Sequence, residues 1–216
     1  MKKILFLYLM LASIAFGYNY DDVILKAQAS IFPKIILLDK KIDDKLIDGK
    51  IVYTIVYDKI DYLTALSIEK FIDKNFQGRL DKYEYKINLV DFENFSEKTE
   101  ASAIYVLNLN EHIENIATMA KDKGIISFAY DINNLKKGLM FSLVIEKSTV
   151  LYLKKENLYT RKIDFVDALL QMVRFVDQDY VYEGNIKYDD IVNPKEFYAI
   201  LASNTFYGHK QSVNIK

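Results

Sequence analysis

The sequence predicts an α/β fold: a three-layer Rossmann-like domain with a mostly parallel sheet flanked by helices, completed by a C-terminal hairpin and helix. Three observations carry this reading. Residues 51–130 alternate apolar strands with helical stripes, in units of the right length for crossover connections. Ile51 to Tyr57 (IVYTIVY) is apolar on both faces, as expected of a central strand covered on both sides. The stretch from Gly124 to Val176 then runs strand, polar loop, strand, turn, strand and amphipathic helix.

The chain opens with a short basic start, Met1-Lys2-Lys3, and an apolar run from Ile4 to Phe16, with the small residues Ala15 and Gly17 in the minus-three and minus-one places for cleavage before Tyr18. This is the layout of a secretory signal peptide, and its apolar run is shorter than the about twenty residues of a membrane span. Residues 1–17 are therefore expected to leave, and the mature protein to be periplasmic with no membrane span. Its domain is expected over 18–177, with residues 178–216 as a C-terminal extension. Cysteine is absent, which excludes a lipoprotein anchor, disulfides and thiol chemistry. About 200 mature residues suffice for a domain held by packing alone.

Asp21 to Leu38 reads as the first helix, with Ile24, Ala27, Ile31, Ile35 and Leu38 on one stripe and Pro33 expected to kink or break it. After the strand Ile51 to Tyr57, Asp61 is placed to cap a helix to Phe76, with Ala65, Ile68, Ile72 and Phe76 on one face and Gln77-Gly78 as its stop. Tyr83 to Val90 alternates, which predicts a strand nearer the sheet edge. Ala103 to Leu109 reads as a further strand, and Asn110 as the cap of a helix closed by Lys123-Gly124. Ile125 to Tyr130 is the next strand, and Leu139 to Glu146 pairs with Thr149 to Leu153 as a hairpin. Two helices are expected after it, the second capped by Asp164 with Phe165, Leu169, Met172, Val173 and Val176 facing inward. The aromatic content beyond Gln178 favours a tail that wraps the domain over one that orders on a partner, and Asp189 to Ala202 has the pattern of a short helix.

Little in the chain is equipped for catalysis. Its two histidines, His112 and His209, are about a hundred residues apart and show no metal-ligand spacing. No serine sits on a nucleophile elbow, and no two of the seven glycines lie within five residues of each other, which excludes a dinucleotide fingerprint and a P-loop. Carboxylate clusters such as Asp43-Asp44 and Glu97 with Glu100 read as solvated loop positions. A formal net charge of −1, without a basic stripe, argues against nucleic acid. Seventeen tyrosines against no tryptophan suggest a tyrosine-rich surface suited to protein contacts. The expectation is no enzyme, no cofactor and no metal.

From about Val23 to Val176, and most specifically in the last third of that stretch, the chain resembles the YfiR-like family of small periplasmic proteins. Family members run strand, Asp, loop, Gly-Gly-Met-Ile, strand, turn, strand and helix, ending in a Leu-Leu pair. Here Asp131, Gly138, Met140, Leu169 and Leu170 hold the matching places. Gly138 suits a tight entry into a strand, and Met140 a place in the core. The chain departs from the family at Lys137 or Leu139, where one glycine of the pair is missing, at Lys162, where a glycine precedes the last helix, and in its lack of cysteines. The resemblance implies a periplasmic homodimer that binds the periplasmic sensor part of an inner-membrane diguanylate cyclase and holds it inactive; its release raises cyclic di-GMP and promotes biofilm. Tyr152 and Tyr159, which flank the third strand of this run, are candidates for the partner surface. The alternative is a periplasmic small-ligand or peptide-binding protein linked to an uptake system. Its cleft would lie at the carboxyl ends of strands, near Asp58, Asn108 to Asn110 and Asp131.

Overall fold

A computed structural model describes residues 20–107, 112–159 and 162–176. The leader, the predicted cap Asn110, His209 and the extension 178–216 lie outside the described residues. The described part is built on one eight-stranded sheet in the order β2-β3-β1-β4-β5-β6-β7-β8. The strands are β1 (Ile51–Tyr57), β2 (Arg79–Leu80), β3 (Tyr83–Asp91), β4 (Ala103–Val106), β5 (Ile126–Ala129), β6 (Phe141–Ile145), β7 (Thr149–Lys154) and β8 (Arg174–Val176). The helices are α1 (Asp22–Ile36), α2 (Tyr62–Phe76), α3 (Ile113–Lys123) and α4 (Asp167–Met172). Five strand pairs are parallel; β2–β3 and β6–β7 are antiparallel. The predicted α/β architecture with a mostly parallel sheet is what the molecule has.

The sheet is the middle of three layers because alternate side chains of its strands feed two separate cores. On one face Tyr53, Ile55, Tyr105, Phe128 and Phe141 pack with Phe32 of α1, Ile68 of α2 and Leu169 of α4. On the other, Val56, Ile104, Val106 and Ala129 pack with Ile113, Ile116 and Ala117 of α3. All seven residues of β1 are buried, as its two-sided apolar sequence requires.

Crossovers set the switch point. From β1 the chain passes through α2 to β3 on one side, and then through residues 92–102 to β4 on the other side of β1. That second crossing carries no helix. It is held instead by Ser102, whose N–H donates to the Val52 carbonyl and whose hydroxyl bonds both the Val52 N–H and the Lys45 carbonyl. The carboxyl ends of β1 and β4 are therefore where the strand order reverses, the usual place for a site in such sheets.

Several expectations need correction. Of the kink or break expected at Pro33, the break does not occur: α1 continues to Ile36 with Pro33 buried inside it. Asp164 caps no helix: its N–H donates to Asp39 Oδ1 and its carboxylate pairs with Lys40 at 3.3 Å. The last helix is only the six residues Asp167–Met172, and Arg174–Val176 leaves it to pair with β7 as a strand. Asp61 occupies the cap position of α2 but makes no side-chain cap bond. Among the described residues tyrosine is not mainly a surface feature either, since Tyr53, Tyr105 and Tyr152 are among the largest fully buried side chains.

Candidate interaction surface

At the carboxyl end of β1 the chain turns sharply. Asp58 accepts from the Ile60 N–H at 3.4 Å, Asp61 N–H donates to the Asp58 carbonyl at 2.7 Å, and this 3-10 turn, Lys59–Asp61, leads directly into α2. The stripe Ala65, Ile68 and Ile72 roots α2 in the core. Three large apolar residues just before that stripe point elsewhere: Ile60 is 66% exposed, Tyr62 47% and Leu63 73%. The Tyr62 ring lies 5.8 Å from that of Tyr57, the last residue of β1. Burial, then the charge of Asp91 and the neighbouring Tyr62, raise the Tyr57 hydroxyl above its ordinary value.

Acidic groups border this apolar group. Asp91 is the register partner of Tyr57 across the β1–β3 ladder. Its carboxylate accepts from the N–H groups of Glu93 and Asn94 and from the Asn94 side-chain amide at 2.6 Å. Those hydrogen bonds, led by the Asn94 side chain, hold its carboxyl below the usual carboxylate range. Glu93 reaches back to pair with Lys59, whose ammonium is raised by that bond. Among these neighbours Asp58, Asp91 and Glu93 face one cation, Lys59. At the start of α1, Asp21 caps the helix through the N–H groups of Val23 and Ile24, and its own N–H donates to the Tyr130 hydroxyl at 2.8 Å.

The residues behind the family resemblance sit elsewhere and serve the scaffold. Asp131 caps the turn Ile132–Leu135 by accepting from the Asn133 N–H at 2.8 Å. Gly138 has φ +102°, a conformation that side chains rarely adopt, and a Cβ there would meet Ala117 Cβ of α3 at 3.1 Å. Its carbonyl accepts from the Asn157 side-chain amide. Met140 is buried, and its N–H bonds Ser127. Leu169 is buried in the first core and Leu170 packs partly against it. Tyr152 is a correction: it is wholly buried in the second core, where its hydroxyl accepts from Arg174 at 3.3 Å, so it offers a partner nothing. Tyr159 closes the 3-10 turn Lys155–Tyr159, and its side chain lies outside the described residues.

The predicted ligand cleft is only partly visible, because Asn108 to Asn110 lie outside the described residues; Asp58 and Asp131 both cap turns. A separate groove of about 560 Å³ runs between Phe95, Ser96 and Glu97 of the helix-less crossover and Asn115, Met119 and Lys123 of α3. His112 lies at the exposed start of α3. Asp43 of the Asp43-Asp44 pair accepts from the Tyr83 hydroxyl at 2.7 Å. Among the described residues no group of three or more His, Cys, Asp or Glu could hold a metal ion, and no helix is long and apolar enough to cross a membrane.

Sequence reading missed the exposed group, although a signal existed. Ile60, Tyr62 and Leu63 are apolar yet off the stripe that buries α2, and such residues are the ones left on the outside.

No protein-family model matches the chain, and no curated protein matches it. Among solved structures it is similar to a conserved domain protein from Vibrio cholerae O1 biovar El Tor strain N16961, with 14% identity and a TM-score of 0.48. The match covers 70% of this chain and 59% of that one, so the chain spans less than two thirds of that protein's length.

Proposed function

We propose that this protein is a YfiR-like periplasmic regulator, non-catalytic, that binds the periplasmic sensor part of an inner-membrane signalling protein, a diguanylate cyclase, and restrains it. The observation that carries this reading is the surface at the switch point. There the fold presents a preformed turn with three exposed apolar side chains, a feature suited to protein contact. The basic-apolar leader layout and the scaffold roles of Asp131, Gly138, Met140 and Leu169 support it. Such a regulator works by binding energy alone: it stabilises one state of a bistable partner and needs only a difference in affinity between the two states. The homodimer implied by the resemblance belongs to the same proposal.

Two measurements test the reading. Deleting the gene should raise cyclic di-GMP and surface attachment, and crosslinking a tagged copy in cells should bring down an inner-membrane cyclase as the dominant partner. Unchanged cyclic di-GMP after deletion, or a transport component as the main crosslinked species, would overturn it.

The groove beside α3 favours one other reading, a binder of a small ligand or peptide linked to uptake. A ligand for that groove raises the melting temperature by mass action. A screen of metabolites and short peptides that produces a rise abolished by Met119→Glu would favour the binder over the regulator.

A further inference from the structure

We propose that Ile60, Tyr62 and Leu63 form a docking surface for a basic amphipathic segment of a protein partner. This rests on the regulator reading and adds the chemistry of what the partner must present. Two properties of the surface define its occupant.

The first is a rigid apolar face. The three side chains stand on a turn closed by Asp58 and on the first turn of a helix whose core stripe, Ala65, Ile68 and Ile72, is buried. The backbone under them is set before any partner arrives, so little ordering opposes association.

The second property is charge. Asp58 is joined to the group by sequence, Asp91 by its register with Tyr57, and Glu93 by its ion pair with Lys59. Counting Lys59, the rim carries a net charge of −2. The Asp91 carboxylate is held in place by the N–H groups of Glu93 and Asn94 and by the Asn94 side-chain amide.

These two properties together select among occupants. A second copy docking through the same face about a two-fold axis would set acid against acid, which is unfavourable. An anionic lipid surface would be repelled for the same reason. A segment with an apolar stripe edged by Lys or Arg satisfies both the exposed carbon and the carboxylates.

The test uses the full mature protein and three fluorescein-labelled peptides: an amphipathic leucine–lysine helix, its leucine–glutamate counterpart, and a lysine-only peptide. Anisotropy titrations should show the leucine–lysine helix binding at least tenfold more tightly than the other two. Its affinity should fall several-fold as salt rises from about 0.05 to 0.3 M, because exposed charges are screened. Ile60→Ser with Leu63→Ser should weaken it at least tenfold without lowering the melting temperature, and Glu93→Gln with Asp91→Asn should weaken it less and flatten the salt dependence. Equal binding of the lysine-only peptide, or an Ile60→Ser/Leu63→Ser variant that binds as well as the parent, would overturn the proposal. No membrane partner is needed for this assay. A regulator that still restrains its cyclase with both residues changed would remove this surface and leave the regulator reading intact.

Discussion

Asp39 shows how much a single side chain organises. It is buried, yet both carboxylate oxygens are engaged: Oδ1 accepts from the N–H groups of Lys41 and Asp164 at 3.1 and 3.0 Å, and Oδ2 pairs with Lys45. One residue thus ties the loop after α1 to the segment before α4. Burial lowers the Lys45 ammonium below its ordinary value, with the Asp39 bond opposing that shift. Replacing one partner of such a pair leaves a buried charge unmatched. Lys45→Met should therefore destabilise the protein by about 3–5 kcal/mol, read as a lower urea midpoint at unchanged slope. A change below about 1 kcal/mol, the range of an exposed pair, would mean that water reaches the site. Nothing in the local sequence marks Asp39, because its partners at 45 and 164 meet only in the fold.

At the scale of elements, the sequence was legible wherever spacing alone decides and misleading where two structures share one spacing. β1, α2 and β3 were readable because a two-sided apolar run, a stripe and an alternation each have one solution. Phe165, Leu169, Met172, Val173 and Val176 fit a helical face, but Phe175 pairs with Leu153, and β-branched Val176 suits the strand that completes the sheet edge. α1 runs on past Pro33 because Ile31, Phe32, Ile35 and Ile36 are all buried, and that packing outweighs the one backbone bond a proline removes. Of the interaction surface, the family-like residues gave no hint, since Asp131, Gly138 and Met140 hold one loop in place while Leu169 and Leu170 pack in the first core. Element closure is itself testable at Gly124, which ends α3 with φ +70° and where a Cβ would fall 2.3 Å from Lys162 Cβ. Gly124→Ala should lose about 1–3 kcal/mol from backbone conformation, with the contact adding to it. Adding Lys162→Gly should restore only the contact part, and full restoration would show that the backbone is unstrained. Ile68→Ala, which empties the α2 face against the sheet, should cost about 2–5 kcal/mol.

At the scale of the whole fold, tyrosine is a core residue as much as a surface one among the described residues. Tyr53 and Tyr105 sit in the middle of the sheet beside Phe32 and Phe128, and Tyr105 donates to Gln28, which in turn bonds the carbonyls of Tyr130 and Leu143. Burial pushes both hydroxyls well above their ordinary value, and burial with the Asp73 hydrogen bond lifts Tyr85 to about 12. A tyrosine is neutral when protonated, so a raised pKa in the fold means that the unfolded chain gives up its proton first. Between the unfolded value of about 10 and the folded value, the native state holds more protons, and stability falls as pH rises. Below about pH 10 this contribution is fully present. Each such buried group then removes about 1.4 kcal/mol per pH unit. Urea unfolding at rising pH should therefore show a steepening loss above pH 10, while tyrosinate absorbance separates a first class of exposed hydroxyls from a second that ionises only as the fold gives way. Tyr53→Phe should flatten the slope by about one group. If every tyrosine ionised in a single phase while the protein stayed folded, water would have to reach the centre of the sheet, and the two-core packing that places Tyr53 and Tyr105 there would be wrong.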